Sequence, residues 1–220
     1  RPVLSVYSHD FRTDQRPRSG AYAGYENYVD RWEANGGADA GYGVGRKTWL
    51  VAGYRYGRQQ QGRLLGAASP YSNHYSRALV GVEGTPVAWL RLNLSGGPDF
   101  RTFQTAAPGF DAGEQLWYIN SSAAWLPTKR DTVAVTLSRY QQPAFSSHSV
   151  YEDIVYDVSW KRQHSARLAM ALGFRAYGGD WQAPVNREDW IYTPAAGLTY
   201  SCSGRLTAEV SYSYDAVVSR

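Results

Sequence analysis

The last third of the chain alternates apolar and polar residues with a period of two. In 154–160 the even positions hold Ile154, Tyr156, Val158 and Trp160, and the odd ones Val155, Asp157 and Ser159. The next run sets Leu168, Met170, Leu172 and Phe174 against Arg167, Ala169, Ala171, Gly173 and Arg175. A third sets Leu206, Ala208, Val210, Tyr212 and Tyr214 against Arg205, Thr207, Glu209, Ser211 and Ser213. Successive side chains of a strand point to opposite faces, so each run reads as a strand with one apolar and one polar face. The apolar face carries aromatic tips and recurs along nearly the whole chain. That pattern predicts an all-β, transmembrane β-barrel in preference to a soluble sandwich.

Turn chemistry divides the connections into two kinds. Short ones are expected at 45–47, 83–86, 127–131, 161–164 and 201–204. Longer ones, rich in Gly, Pro, Gln, Ser and Asn, are expected at about 59–72, 96–112, 142–149 and 178–188. Strict alternation of short and long is the rhythm of an up-and-down antiparallel barrel whose short turns share one end. Between these turns the predicted strands are 47–58, 73–82, 87–95, 114–126, 131–141, 150–160, 165–177, 189–201 and 205–217. Residues 2–12 and a glycine-rich 26–44 precede them, which makes about eleven strands. Bacterial barrels have even strand counts. The final run also ends on the long-loop side, and Arg220 is not a terminal aromatic residue. The expectation is therefore one barrel domain over 1–220, lacking at least one C-terminal strand of a barrel of twelve or more. Arg1 already opens strand-like sequence, so either a leader has been removed or the chain is a piece of a longer protein.

Strand parity assigns faces. At the long-loop end the outward positions are Tyr56, Trp117, Trp190, Tyr192, Tyr212 and Tyr214, and at the short-turn end Trp125, Trp160 and Tyr200. Two aromatic bands separated by small aliphatic residues match the girdles of a barrel in lipid. Trp49 and Trp89 depart from this scheme, since parity turns both inward near the short-turn end. The lumen face collects Arg55, Arg77, Arg91, Asn93, Arg167 and Arg175 with Glu83, Asp153, Asp157 and Glu209. These residues are either the wall of a polar pore or a salt-bridged network that fills a narrow barrel.

Composition agrees with this picture and removes other classes. The chain has 18 Tyr and 8 Trp, the amphipathic rings that interfaces favour. Its net charge of +4 is mild and its arginines are scattered, whereas nucleic-acid binders gather basic residues on one face. Cys202 is the only cysteine, so neither a disulfide framework nor a thiolate metal cluster is expected. His9, His74, His148 and His164 lack ligand spacing, and no metal or other cofactor is predicted.

Three look-alike motifs carry less than they suggest. Gly41 to Thr48 resembles a phosphate loop, but an inserted Arg spoils the spacing and the residues after it alternate as a strand. Asp153 and Asp157 lie about 13 Å apart along a strand, too far for a glycosidase carboxylate pair. His74 and Ser76 share a strand face, but a nucleophile needs a base that is itself oriented by a carboxylate, and none is evident. The reading is that the chain is not an enzyme.

The segment from about 47 to 217 resembles the Gram-negative outer-membrane β-barrel class, and within it the porin-like barrels. The alternating strands, the Tyr and Trp bands and the short/long turn rhythm carry the resemblance. It implies a bacterial outer membrane, with outer-membrane lipid around the barrel. It further implies a passive pore or export conduit for small polar solutes or a polymer such as polysaccharide, lined by the lumen residues. Two other readings stay open. One is a non-conducting structural barrel, or one that binds a partner through the loops Pro98–Ala112 and Gly178–Glu188, with Phe100, Phe103, Phe110, Trp181 and Trp190. The other is a lipid hydrolase built on His74 and Ser76.

Overall fold

The computed structural model describes residues 1–12, 28–63, 68–104, 111–144, 149–183 and 185–220. Its strands are β1 (Pro2–His9), β2 (Arg31–Gly45), β3 (Thr48–Gln61), β4 (Asn73–Val87), β5 (Leu90–Phe103) and β6 (Gly113–Trp125). They continue as β7 (Asp131–Pro143), β8 (Val150–Gln163), β9 (Leu168–Trp181), β10 (Arg187–Ser201), β11 (Thr207–Ser213) and β12 (Ala216–Ser219). Each of β1 to β10 pairs antiparallel with the next in sequence, so the described residues form one up-and-down sheet without helices.

Short and long connections alternate as expected, but the strands run further toward the long loops. β3 extends to Gln61 instead of 58, β5 to Phe103 instead of 95, and β9 to Trp181 instead of 177. Gly96, Gly97 and Pro98 had marked a loop, because proline interrupts a ladder. In β5 the pairing with β4 lapses opposite Gly97 and Pro98 and resumes at Arg77 opposite Asp99. Pairing with β6 continues through both residues. Of the loops expected at Pro98–Ala112 and Gly178–Glu188, residues 98–103, 178–181 and 187–188 are strand, with Phe100 on β5's outer face and Phe103 buried. Phe110 and His148 lie outside the described residues.

At the other end the turns are tight. Arg46 and Lys47 alone join β2 to β3, which places the phosphate-loop look-alike in a hairpin. Trp89 sits in the turn between β4 and β5 rather than on the wall that parity gave it. Trp49 does lie on the inner face, where its ring covers Gly41 and Gly43; a Cβ on either glycine would be 3.5–3.6 Å from the indole. Gly84 has φ +130°, and a Cβ there would meet the Lys47 carbonyl oxygen at 2.0 Å. A glycine is required for this bulge, which lets the Thr85 N–H donate to Lys47 O at 2.7 Å.

The last predicted strand, 205–217, is present as two pieces, β11 and β12, and both pair with β10. Their register is continuous, from Ala195 opposite Ser213 to Tyr192 opposite Ala216. Pro194 explains the break. Tyr214 N–H donates to Pro194 O at 3.2 Å, but proline has no N–H to return the bond.

Burial is inverted relative to a water-soluble sheet. Most of the largest fully buried side chains are polar or charged, among them Arg101, Gln141, Asn73 and Asp99. Val80, Trp117, Leu198, Val210 and Tyr212 are exposed on the opposite face, Val80 at 70% and Tyr212 at 71%. The buried apolar cluster is small. It joins Tyr71, Phe103 and Val150 at the long-loop end, where Tyr71 Oη also donates to Ala183 O at 3.1 Å.

Replacing Pro194 by Val restores the missing donor opposite Tyr214. The expected gain is about 1 kcal/mol of stability, and amide exchange at Ala216–Ser219 should slow. Unchanged exchange would show that something other than the proline divides the strand.

Candidate functional site

The inner face is the one on which side chains from strands that are not neighbours meet. On β3 it holds the odd positions, and the register carries that face onto Asp39 of β2, Arg77 of β4 and Asp99 of β5. Toward the long loops these residues build a continuous network. Arg77 Nε and Nη2 donate to Asp99 Oδ2 at 3.1 and 2.7 Å, and Arg101 Nη2 donates to the same oxygen at 3.0 Å. Arg101 Nη1 reaches Gln59 Oε1 at 2.7 Å, which also accepts from Asn73 Nδ2 at 3.2 Å. Gln59 Nε2 donates to Glu33 at 2.8 Å, and the Tyr75 hydroxyl donates to Glu33 as well. The Arg77 guanidinium lies 3.6 Å from the centre of the Tyr118 ring and 4.8 Å from that of Tyr75. Such stacking compensates a weakly hydrated guanidinium for lost water.

The network also draws the sheet across itself. β6 and β7 pair only from Ile119 opposite Arg139 to Trp125 opposite Val133, and toward the long loops they part. Beyond that point side chains from across the interior bond to backbone carbonyls of β7 and the residue after it. Gln59 Nε2 donates to Gln141 O at 3.4 Å, Gln61 Nε2 to Ala144 O at 2.6 Å, and Arg31 Nη1 to Pro143 O at 2.7 Å. Unpaired buried carbonyls are costly, so these bonds stabilise the close approach of β3 and β7.

A second cluster lies on β7 to β9. Asp153 accepts from Gln142 Nε2 at 2.5 Å and from the Tyr177 hydroxyl, and Gln142 also donates to the Tyr151 hydroxyl at 2.6 Å. On the other face of these strands Arg139 pairs with Glu152.

Two cavities adjoin the first network. One, of about 300 Å³, lies where β6 and β7 part and is lined by Glu33, Asn35, Gln59, Tyr118, Ser138 and Gln141 among others. The other, of about 330 Å³, shares Asn35, Arg77, Tyr118 and Asn120 with it and continues past Asp39, Arg55 and Glu83 toward the short turns.

The positions expected in the lumen fall as follows. Arg55 pairs with Asp39 at 2.7 Å, Arg77 with Asp99, Arg175 with Asp157 at 3.0 Å, and Glu83 with Arg1 at 3.2 Å. Asn93 stands opposite Glu83 in the register, and Arg91 follows the same parity. Glu209 stands opposite Thr199 on the exposed last strand. Arg167 lies in the turn before β9, where its carbonyl accepts from Ser201 N–H, and so belongs to no strand wall.

Of the expected aromatic bands, Tyr56, Trp117, Trp125, Tyr200, Tyr212 and Tyr214 are exposed on the outer face. Tyr156, Trp190, Tyr192 and Phe174 form a stacked row with centroids 6.1–6.4 Å apart. Trp160 is half-buried and donates to Asp131 Oδ1 at 3.1 Å. His74 and Ser76 also face outward. His74 Nδ1 lies 3.4 Å from the Tyr56 hydroxyl, and Ser76 stands opposite Tyr56 in the register.

Sequence reasoning missed Glu33, Gln59, Asn73, Asp99, Arg101 and Gln141. Gln59, Asp99 and Arg101 fell in presumed loops, although Asp99, Arg101 and Phe103 alternate with Phe100 and Thr102 as a strand should. For Gln141 the signal did not exist, because its partners, Glu114 of β6 and Gln59 of β3, are brought to it only by the packing of the strands.

Arg101→Met should lower stability by about 3 kcal/mol in urea titrations, since it leaves Asp99 buried with a lost partner. The solvent-exposed pair of Arg175 and Asp157 predicts a loss below about 1 kcal/mol for Arg175→Met. Equal losses would contradict the central place given to Asp99. Comparison of the chain with protein-family models, curated proteins and solved structures finds no match.

Proposed function

We propose that the chain is a barrel of the bacterial outer membrane that forms a passive conduit for small polar solutes or a polymer, narrowed at its long-loop end. The observation that carries this reading is the inversion of polarity: buried arginine, aspartate and carboxamide side chains inside, exposed aliphatic and aromatic ones outside. In water such an outer surface favours association or aggregation, whereas in lipid it is the solvated face. β2 to β10 are 13–15 residues long, more than the ~9–11 that a tilted strand needs to cross a bilayer. The stacked row from Tyr156 to Phe174 and the indole of Trp125 supply rings for the two interfaces. On this reading the paired charges line a water-filled path, and the contacts from Gln59 and Gln61 to β7 constrict it.

The filled long-loop end also favours a second reading, a barrel that conducts nothing and serves as an anchor or binding module. Bilayer recordings separate the two. The wild-type protein is expected to give small or rare conductance steps, and the double variant Gln59→Ala, Gln61→Ala larger and longer ones, because β7 is released from β3. A double variant that keeps the heat-dependent gel mobility of a folded barrel but stays silent would favour the non-conducting reading.

A further inference from the structure

We propose that the cavity at the parting of β6 and β7 binds an uncharged polyhydroxylated solute, a sugar in chemical class. The inference rests on the reading of the inner face as a solute path, and it names the solute. Carboxamides and hydroxyls dominate the lining: Asn35, Gln59, Tyr118, Asn120, Ser138 and Gln141. Each of these groups can both donate and accept a hydrogen bond, as each sugar hydroxyl can. A volume of about 300 Å³ lies at the small end of the range of ligand pockets.

Gln141 closes one side of the cavity: it is 2% exposed and its Nε2 is held by Glu114 at 2.6 Å. Charge excludes the alternatives. Arg77 and Arg101 share Asp99, and the Glu33 carboxylate of the same network balances the second guanidinium; in the adjoining cavity Arg55 is paired with Asp39. None of these arginines is left to draw an anion. Glu33 already accepts from Asn35, Gln59 and Tyr75, which leaves little of it for a cation. The rings of Tyr118 and Tyr140 add apolar surface of the kind that C–H faces of a sugar cover. Because the second cavity shares four lining residues with the first, a chain of several sugar units has room to extend toward the short turns.

The test is a calorimetric titration of the folded protein, in a detergent without a sugar headgroup, with maltotriose, gluconate and glucosamine in turn. Maltotriose should give saturable heat, and the two charged compounds should give none. Asn120→Leu, at an exposed inner-face position, should keep the folded gel mobility and weaken maltotriose binding at least tenfold. Absence of saturable heat with maltotriose would mean that the cavity holds only water, and would overturn the proposal. Equal binding of gluconate or glucosamine, or an unchanged affinity in Asn120→Leu, would overturn it too. A protein that binds maltotriose but never conducts sinks the conduit reading alone; one that conducts without binding sinks this inference alone.

Discussion

Asp99 holds a carboxylate that solvent does not reach, and the long-loop half of the structure is arranged around keeping it there. Two guanidinium groups bind one of its oxygens, and each is anchored elsewhere, Arg77 against two tyrosine rings and Arg101 on Gln59. Gln59 turns an ion pair into an architectural link. Its oxygen takes Arg101, and its nitrogen reaches Glu33 on β2 and the backbone of β7. A buried charge that loses a partner is far more costly than an exposed one. The close approach of β3 and β7 therefore follows from this polar network more than from apolar packing.

The departure of β7 from β6 has the same origin. A continuous ladder would have kept both strands paired to their ends, as β8 and β9 do. Where the ladder stops, carbonyls of β7 need donors, and Gln59, Gln61 and Arg31 supply them. The smaller cavity lies where the strands part, so the network that draws β3 toward β7 also leaves a space beside it. Apolar packing contributes only the small cluster of Tyr71, Phe103 and Val150 above it.

Alternation made the strands legible, because a period of two needs no knowledge of the partner. It placed Tyr156, Val158 and Trp160 on one face and Asp157 on the other, and turn chemistry found the short turns at Gly45–Lys47 and Ser201–Gly204 within a residue or two of where the chain reverses. Alternation failed where glycine and proline imitate a loop. Gly96, Gly97 and Pro98 sit inside a strand because the ladder to β6 runs on through them while the ladder to β4 lapses, which is a property of the pairing and not of the tripeptide. Pro194 was hidden in the opposite sense: its effect appears on Tyr214, twenty residues later in the chain, as the gap between β11 and β12.

What the sequence determined by itself was the local part: strand identity, the faces of most side chains, the up-and-down order and the outward aromatic rings. These depend on side-chain alternation and turn chemistry, which act over a few residues. Only the tertiary structure decided which inner-face charges meet. The Asp99 pairs join β4 and β5, and the Gln59 and Gln61 bonds join β3 and β7, 82 and 83 residues apart. Such contacts depend on how far the sheet curls. Curl is set by the sum of all its pairings and by the need to satisfy buried polar groups, and no single stretch of sequence carries it.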